Sequence, residues 1–119
     1  MNQKNSANIL RIFTASQHSI SGLKFAWKEG AFRLECYLAI ICIILAIILQ
    51  ISWQKKIIIL CSWLFVLIIE ILNSSIEACI DRIGIEQHNL SKAAKDLASA
   101  AVFLSLVLCV IINSSIFLF

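Results

Sequence analysis

The chain has 119 residues, is 61% hydrophobic and contains no proline, with a mean hydropathy of +0.93. So short a chain cannot bury that much apolar surface in a soluble core, which excludes an ordinary soluble domain. The net charge is +3, but no Arg/Lys cluster interleaved with aromatics accompanies it, so no nucleic-acid partner is expected.

Residues 1–28 are predicted as an amphipathic surface helix, with a polar start over the first six residues. Ile9, Ile12, Phe13, Ile20, Leu23 and Trp27 fall on one helical face, and Arg11, His18 and Ser21 on the other. Such a helix lies in the membrane interface, with Trp27 at headgroup depth. Gly22 weakens its middle, and Gly30 allows a bend before the first span. The stretch Glu29-Gly30-Ala31-Phe32-Arg33-Leu34-Glu35 then puts charges of both signs at the interface.

Three membrane spans follow, at about residues 33–52, 55–83 and 92–118, each with the roughly 20 mostly apolar residues that crossing requires. The whole chain is thus predicted to be one all-α membrane domain. The first span starts too late for a secretory signal peptide. Lys4, Arg11, Lys24, Lys28 and Arg33 precede the first span, and Arg82, Lys92 and Lys95 flank the second connection; only Lys55 and Lys56 lie in the first connection. The positive-inside rule then places the N-terminus in the cytoplasm and the C-terminus on the outer side. The five cysteines, Cys36, Cys42, Cys61, Cys79 and Cys109, lie in or beside the spans without a CxxC and read as small buried hydrophobes.

The second span carries the chemistry. Glu70, Asn73, Glu77 and Asp81 stand at i, i+3, i+7 and i+11, within a sector of about 80° on one helical face. Ionisable groups in a membrane span are expensive and usually mark a function. Along the axis from Lys56, Glu70 lies about 21 Å away and Glu77 about 32 Å, against a hydrocarbon core of about 30 Å. Glu70 is therefore expected just below the inner surface and Glu77 at it, so that a lipid hydroxyl meets the first and a water-soluble phosphate the second. Gly84 is a candidate C′ cap for this helix, and Ser91 a candidate N-cap for the next. Lys95 and Asp96 fall at the same depth as Glu77. The small residues Ala98, Ser99, Ala100 and Ala101 permit close helix packing. Three spans enclose little polar space, so oligomerisation is expected.

No Walker A sequence, Rossmann fingerprint, HExxH or GxSxG occurs. Carboxylates suit Mg²⁺ when substrate phosphates supply further oxygens, lysine neutralises phosphate charge, and phosphoryl transfer needs mainly positioning and charge stabilisation. Two other classes use the same residues: a small proton-coupled transporter in which Glu70 cycles protons, and a non-catalytic scaffold, which gives Glu70 no purpose.

At Glu70-Ile-Leu-Asn-Ser-Ser-Ile-Glu77, at Asp81-Arg-Ile-Gly84 and at Ala94-Lys95-Asp96 the chain closely resembles the small prokaryotic diacylglycerol kinases. Glu29 to Glu35 is similar to the family's E-x-A-F-R-x-E stretch. The resemblance implies a homotrimeric enzyme of the bacterial inner membrane that transfers the ATP γ-phosphate to diacylglycerol and makes phosphatidic acid. It implies Glu70 as the base, and Glu29 and Glu77 as ligands of the metal in Mg–ATP. The nucleotide would meet Arg11, His18, Glu29, Asn73, Glu77, Glu86, Gln87, His88, Lys95 and Asp96. The lipid would meet Arg11, Phe32, Arg33, Leu34, Glu35, Glu70 and Ser99, in a site between protomers. His18 stands where Gram-negative relatives usually carry tyrosine, and Thr14 where a lysine is common. Ser91-Lys-Ala-Ala-Lys95 is closer to the Gram-positive branch, which prefers undecaprenol, whereas Ala31-Phe32-Arg33 favours the diacylglycerol branch.

Overall fold

The computed structural model describes residues 3–119 and is helical from end to end. Four helices follow one another: α1 (Gln3–Lys28), α2 (Gly30–Ile48), α3 (Trp53–Ile83) and α4 (Asn89–Leu118). The first two residues of the expected surface helix lie outside the described residues. α2, α3 and α4 are each long and apolar enough to cross a membrane, which makes this a membrane protein. Its radius of gyration is 18.4 Å, against about 13–14 Å for a compact soluble domain of this length. The helices form an extended bundle, and most of their apolar surface faces outward.

α3 is the middle element. It packs most extensively against α4 and next against α2, while α1 packs against α2. Ala46 of α2, Ile59, Trp63 and Val66 of α3 and Cys109 of α4 form the buried core. A polar node sits in it. Asn113 Nδ2 donates to Ser62 Oγ at 3.0 Å and to the Cys109 carbonyl at 2.8 Å, and Ser62 Oγ donates to the Ile59 carbonyl at 2.7 Å. The node ties α4 to α3 in a region where water offers no competing partner. All five cysteines are free; Cys109 is buried, while Cys61 and Cys79 lie exposed along α3.

The connections depart in detail from the sequence expectations. α1 begins at Gln3 and runs unbroken through Gly22. The bend falls at Glu29, whose backbone is extended (φ −77°, ψ 129°), and Gly30 already begins α2. Arg33 holds this corner: its Nη1 donates to the carbonyls of Trp27 and Lys28, both at 2.9 Å, and so satisfies the orphan carbonyls at the end of α1. Trp27 and Tyr37 add an edge-to-face contact across the corner, with ring centroids 6.1 Å apart.

Between α2 and α3, Gln50 adopts a left-handed conformation (φ 52°). Its N–H bonds to the Ile47 carbonyl at 3.1 Å, and the Ile51 N–H to the Ala46 carbonyl at 3.0 Å. This is the paired-bond Schellman end of a helix, with glutamine where glycine is usual. Gly84 ends α3 with its N–H near the Ile80 carbonyl, and its backbone is extended rather than left-handed (φ 161°), so the expected glycine cap geometry is absent. The expected Ser91 cap is also replaced. α4 starts three residues earlier than expected, at Asn89, and His88 caps it by accepting the Leu90 N–H on Nδ1 at 3.1 Å. An imidazole nitrogen one position before the helix reaches the orphan N–H that Ser91, already inside the helix, cannot.

At 31 and 30 residues, α3 and α4 are each about 45 Å long, roughly 15 Å more than a hydrocarbon core. Their excess, together with the loop between them, makes a polar end to the bundle.

Candidate active site

The polar face of α3 changes character along the helix. Glu70 is buried, at 5% exposure, Asn73 is half-buried, and Glu77 and Asp81 are exposed. Trp53 opens the helix, which puts Glu70 about 26 Å and Asp81 about 42 Å along the axis. Burial of Glu70 follows from its place opposite α2, since Phe32 and Glu35 are the buried residues of the first turns of that helix. Glu70 interacts electrostatically with Glu77 and Glu29, and Glu35 with Glu70. Four carboxylates from α2, from α3 and from the corner before α2 therefore converge on one region. Glu35 Oε2 and Asn73 Oδ1 are buried there without a hydrogen-bond partner among the described residues. Natural proteins seldom leave such acceptors empty except where a further group belongs.

A second feature lies at the polar end of the bundle. A cavity of about 660 Å³ is lined by the last turn of α3, by the Glu86-Gln87-His88 loop and by the first turns of α4. Asp81, Glu86, Lys92, Lys95 and Asp96 supply its charges. Lys95 Nζ pairs with Asp81 Oδ1 at 2.7 Å across the two helices, and Lys92 pairs with Asp96 within α4. This volume lies within the range of small-molecule sites, about 300–1,000 Å³.

The structure thus gathers the expected residues into three groups. Glu86, Gln87, His88, Lys95 and Asp96 share the cavity. Glu29, Glu35, Glu70 and Glu77 share the carboxylate cluster, with Asn73 on the same face of α3. Arg11 and His18 line a separate shallow depression on α1 with Leu10, Thr14 and Ala15. Phe32 is buried beside Glu35, Leu34 faces outward, and Ser99 is exposed on α4. Arg33, expected against the lipid, donates through Nη1 to the α1 carbonyls. Asp81 and Lys92 were not among the expected site residues, although both line the cavity. Their signal in the sequence was available for Asp81, which shares the Glu70 face, and absent for Lys92, a lone cation on an exposed turn.

Among the described residues, no three His, Cys, Asp or Glu side chains come close enough to hold a metal. Glu29 and Glu77 are hard oxygen donors, both exposed. Mg²⁺ characteristically takes only one or two carboxylates, completing its shell with water and substrate phosphates. Two such carboxylates are the kind of donor set that fits a magnesium ion whose other ligands come from water and phosphate.

Comparison with known proteins places these features in a family. The model of the prokaryotic diacylglycerol kinase family matches residues 17–117. The chain belongs to the prokaryotic diacylglycerol kinase family. Relatives similar to it include the diacylglycerol kinase of Escherichia coli K12, 41% identical over 108 residues that cover 90% of this chain and 88% of the relative. The diacylglycerol kinase of Haemophilus influenzae is 41% identical over 112 residues, 93% of this chain and 95% of the relative. That of Pseudomonas aeruginosa is 37% identical over 116 residues, 97% and 94% of the two chains. The matched family region holds the corner at Glu29, the polar face of α3, the α3–α4 loop and the first turns of α4.

Proposed function

We propose that this membrane enzyme phosphorylates diacylglycerol at the expense of ATP and yields phosphatidic acid. The observation that carries the reading is the buried Glu70, set among carboxylates on an apolar helix, beside the unpartnered acceptors of Glu35 and Asn73. A neutral lipid with one free hydroxyl supplies the donor that such a region lacks. Glu70 takes the hydroxyl proton as the lipid oxygen forms its bond to the γ-phosphorus. The bond from that phosphorus to the β,γ-bridging oxygen breaks, and ADP leaves. Phe32, Arg33, Leu34, Glu35, Ser99 and Arg11 line the lipid side in this reading, with Arg33 Nη1 also holding the α1–α2 corner.

The nucleotide occupies the cavity between the ends of α3 and α4. Lys95 faces its phosphates, Asp96 and the Glu86-Gln87-His88 loop hold the remainder, and Arg11, His18 and Asn73 approach from neighbouring elements. Glu29 and Glu77 would hold the magnesium of Mg–ATP, which would neutralise phosphate charge when bound. Glu70 lies about 10 Å along the helix from Glu77, so the two substrates meet across the membrane boundary, one from each side.

The polar end of the bundle faces the cytoplasm in this reading, consistent with the basic residues at the N-terminus and around the α3–α4 loop. α1 lies along the cytoplasmic surface of the bacterial inner membrane, and the C-terminus is periplasmic. The outward apolar faces of α2 to α4 and the separation of Arg11 and His18 from the cavity support a homotrimer, with each site completed by a neighbouring protomer.

The test uses purified protein in mixed micelles with labelled Mg–ATP, offered diacylglycerol and undecaprenol together. Label in phosphatidic acid is the expected result. Label mainly in undecaprenyl phosphate would move the protein to the other substrate branch. Folded protein that labels neither lipid would overturn the kinase reading and make proton-coupled transport the next assay.

A further inference from the structure

The Lys95–Asp81 pair is the one ion pair among the described residues that links two helices. The other, Lys92–Asp96, lies within a single helical stretch. Both members line the cavity, and the Nζ–Oδ1 distance of 2.7 Å is that of a charge-assisted hydrogen bond. The pair is solvated, with side chains 41% and 69% exposed. Exposed pairs contribute little to folding, and α3 and α4 are already joined by the buried core and the Ser62–Asn113 bond. The bond between Asp81 and Lys95 therefore has little work as a structural fastener.

It has a use as an orienting device. A lysine stem samples many rotamers, and holding its head costs side-chain entropy. Asp81, reaching from the last turn of α3, meets that ammonium before any ligand does. An ammonium has three donors; with one given to Asp81, two remain for phosphate oxygens. Asp81 also continues the Glu70–Asn73–Glu77 face, so it ties the position of the cation to the helix that carries the carboxylates.

We infer that Asp81 is a positioning residue for nucleotide binding, acting through Lys95 by holding its ammonium over the α3–α4 cavity. The inference rests on the nucleotide reading of that cavity.

The experiment measures Mg–ATP binding by thermal shift in micelles and KM for each substrate, in Asp81→Ala, Asp81→Glu, Lys95→Met and the double variant. Asp81→Ala is expected to weaken Mg–ATP binding and raise its KM about five- to ten-fold, with KM for diacylglycerol and the unliganded thermal midpoint unchanged. Asp81→Glu restores most of the affinity. In the Lys95→Met background, the loss of Asp81 adds nothing further to the binding defect. An unchanged KM for Mg–ATP in Asp81→Ala, or full additivity in the double variant, would overturn the inference while leaving the kinase intact. Absence of Mg–ATP binding by the unsubstituted protein would overturn the nucleotide reading and the inference together.

Discussion

Glu70 shows what one side chain demands of its surroundings. A carboxylate at 5% exposure on an apolar helix costs stability, and the fold places three more carboxylates in electrostatic range. Carboxylates crowded in this way cluster at functional sites. Glu70→Gln is expected to lower the rate of phosphatidic acid formation at least 100-fold, the lower end of general-base contributions. Its thermal midpoint in micelles should stay level or rise, because a neutral amide of the same size removes a buried charge. Undiminished activity in a folded Glu70→Gln protein would remove Glu70 from the chemistry. Asn113 is the contrasting case, a buried polar residue whose partners are structural. Asn113→Val deletes its bond to Ser62 and should cost about 0.6–1.7 kcal/mol, read as a lower unfolding midpoint with KM values unchanged.

Elements here are joined by corners rather than by long loops, and each corner has an identifiable fastening. At the α2–α3 turn, glutamine occupies a left-handed position at φ 52°, a conformation costing an ordinary L-residue about 1 kcal/mol. Gln50→Gly relieves that cost and keeps both Schellman bonds. It should raise stability by about 0.5–1 kcal/mol, measured as a higher unfolding midpoint; a drop would mean that the Gln50 side chain supports the turn. At the α1–α2 corner, the Arg33 guanidinium replaces a glycine cap. Removing it in Arg33→Gln should speed hydrogen exchange in the last turn of α1 and lower kcat/KM several-fold, since Glu29 sits in that corner. Protection in α3 and α4 should not change. These fastenings depend on residues that no general rule marks as caps. Gln50 and Arg33 act through local geometry, and His88 displaced Ser91 because α4 begins three residues earlier than expected.

At the scale of the molecule, the single chain exposes large apolar side chains along all three spans and on α1. Lipid accounts for much of that surface, and the residues of the proposed nucleotide site fall into two separate places on one chain. Arg11 and His18 lie in their own depression on α1, away from the cavity that holds Lys95 and Asp96. A site shared between protomers resolves this separation. Mixing inactive Glu70→Gln chains with inactive Lys95→Met chains should then restore a measurable fraction of activity after co-refolding, whereas sites confined to one chain would stay inactive at every mixing ratio. Sedimentation in density-matched detergent should give a trimer.

The helical class and the three spans follow from composition and run length, because a bilayer forces any apolar chain of this kind to satisfy its backbone within helices. The carboxylate face of α3 likewise follows from periodicity, since 100° per residue aligns Glu70, Asn73, Glu77 and Asp81 wherever the helix sits. Periodicity along one helix says nothing about what stands opposite. That Glu35 of α2 comes within electrostatic range of Glu70, and that Asp81 reaches Lys95 across 14 positions of chain, both depend on how helices cross. Those contacts join residues distant in sequence or sharing no period, so they emerge only when α2 and α4 pack onto α3.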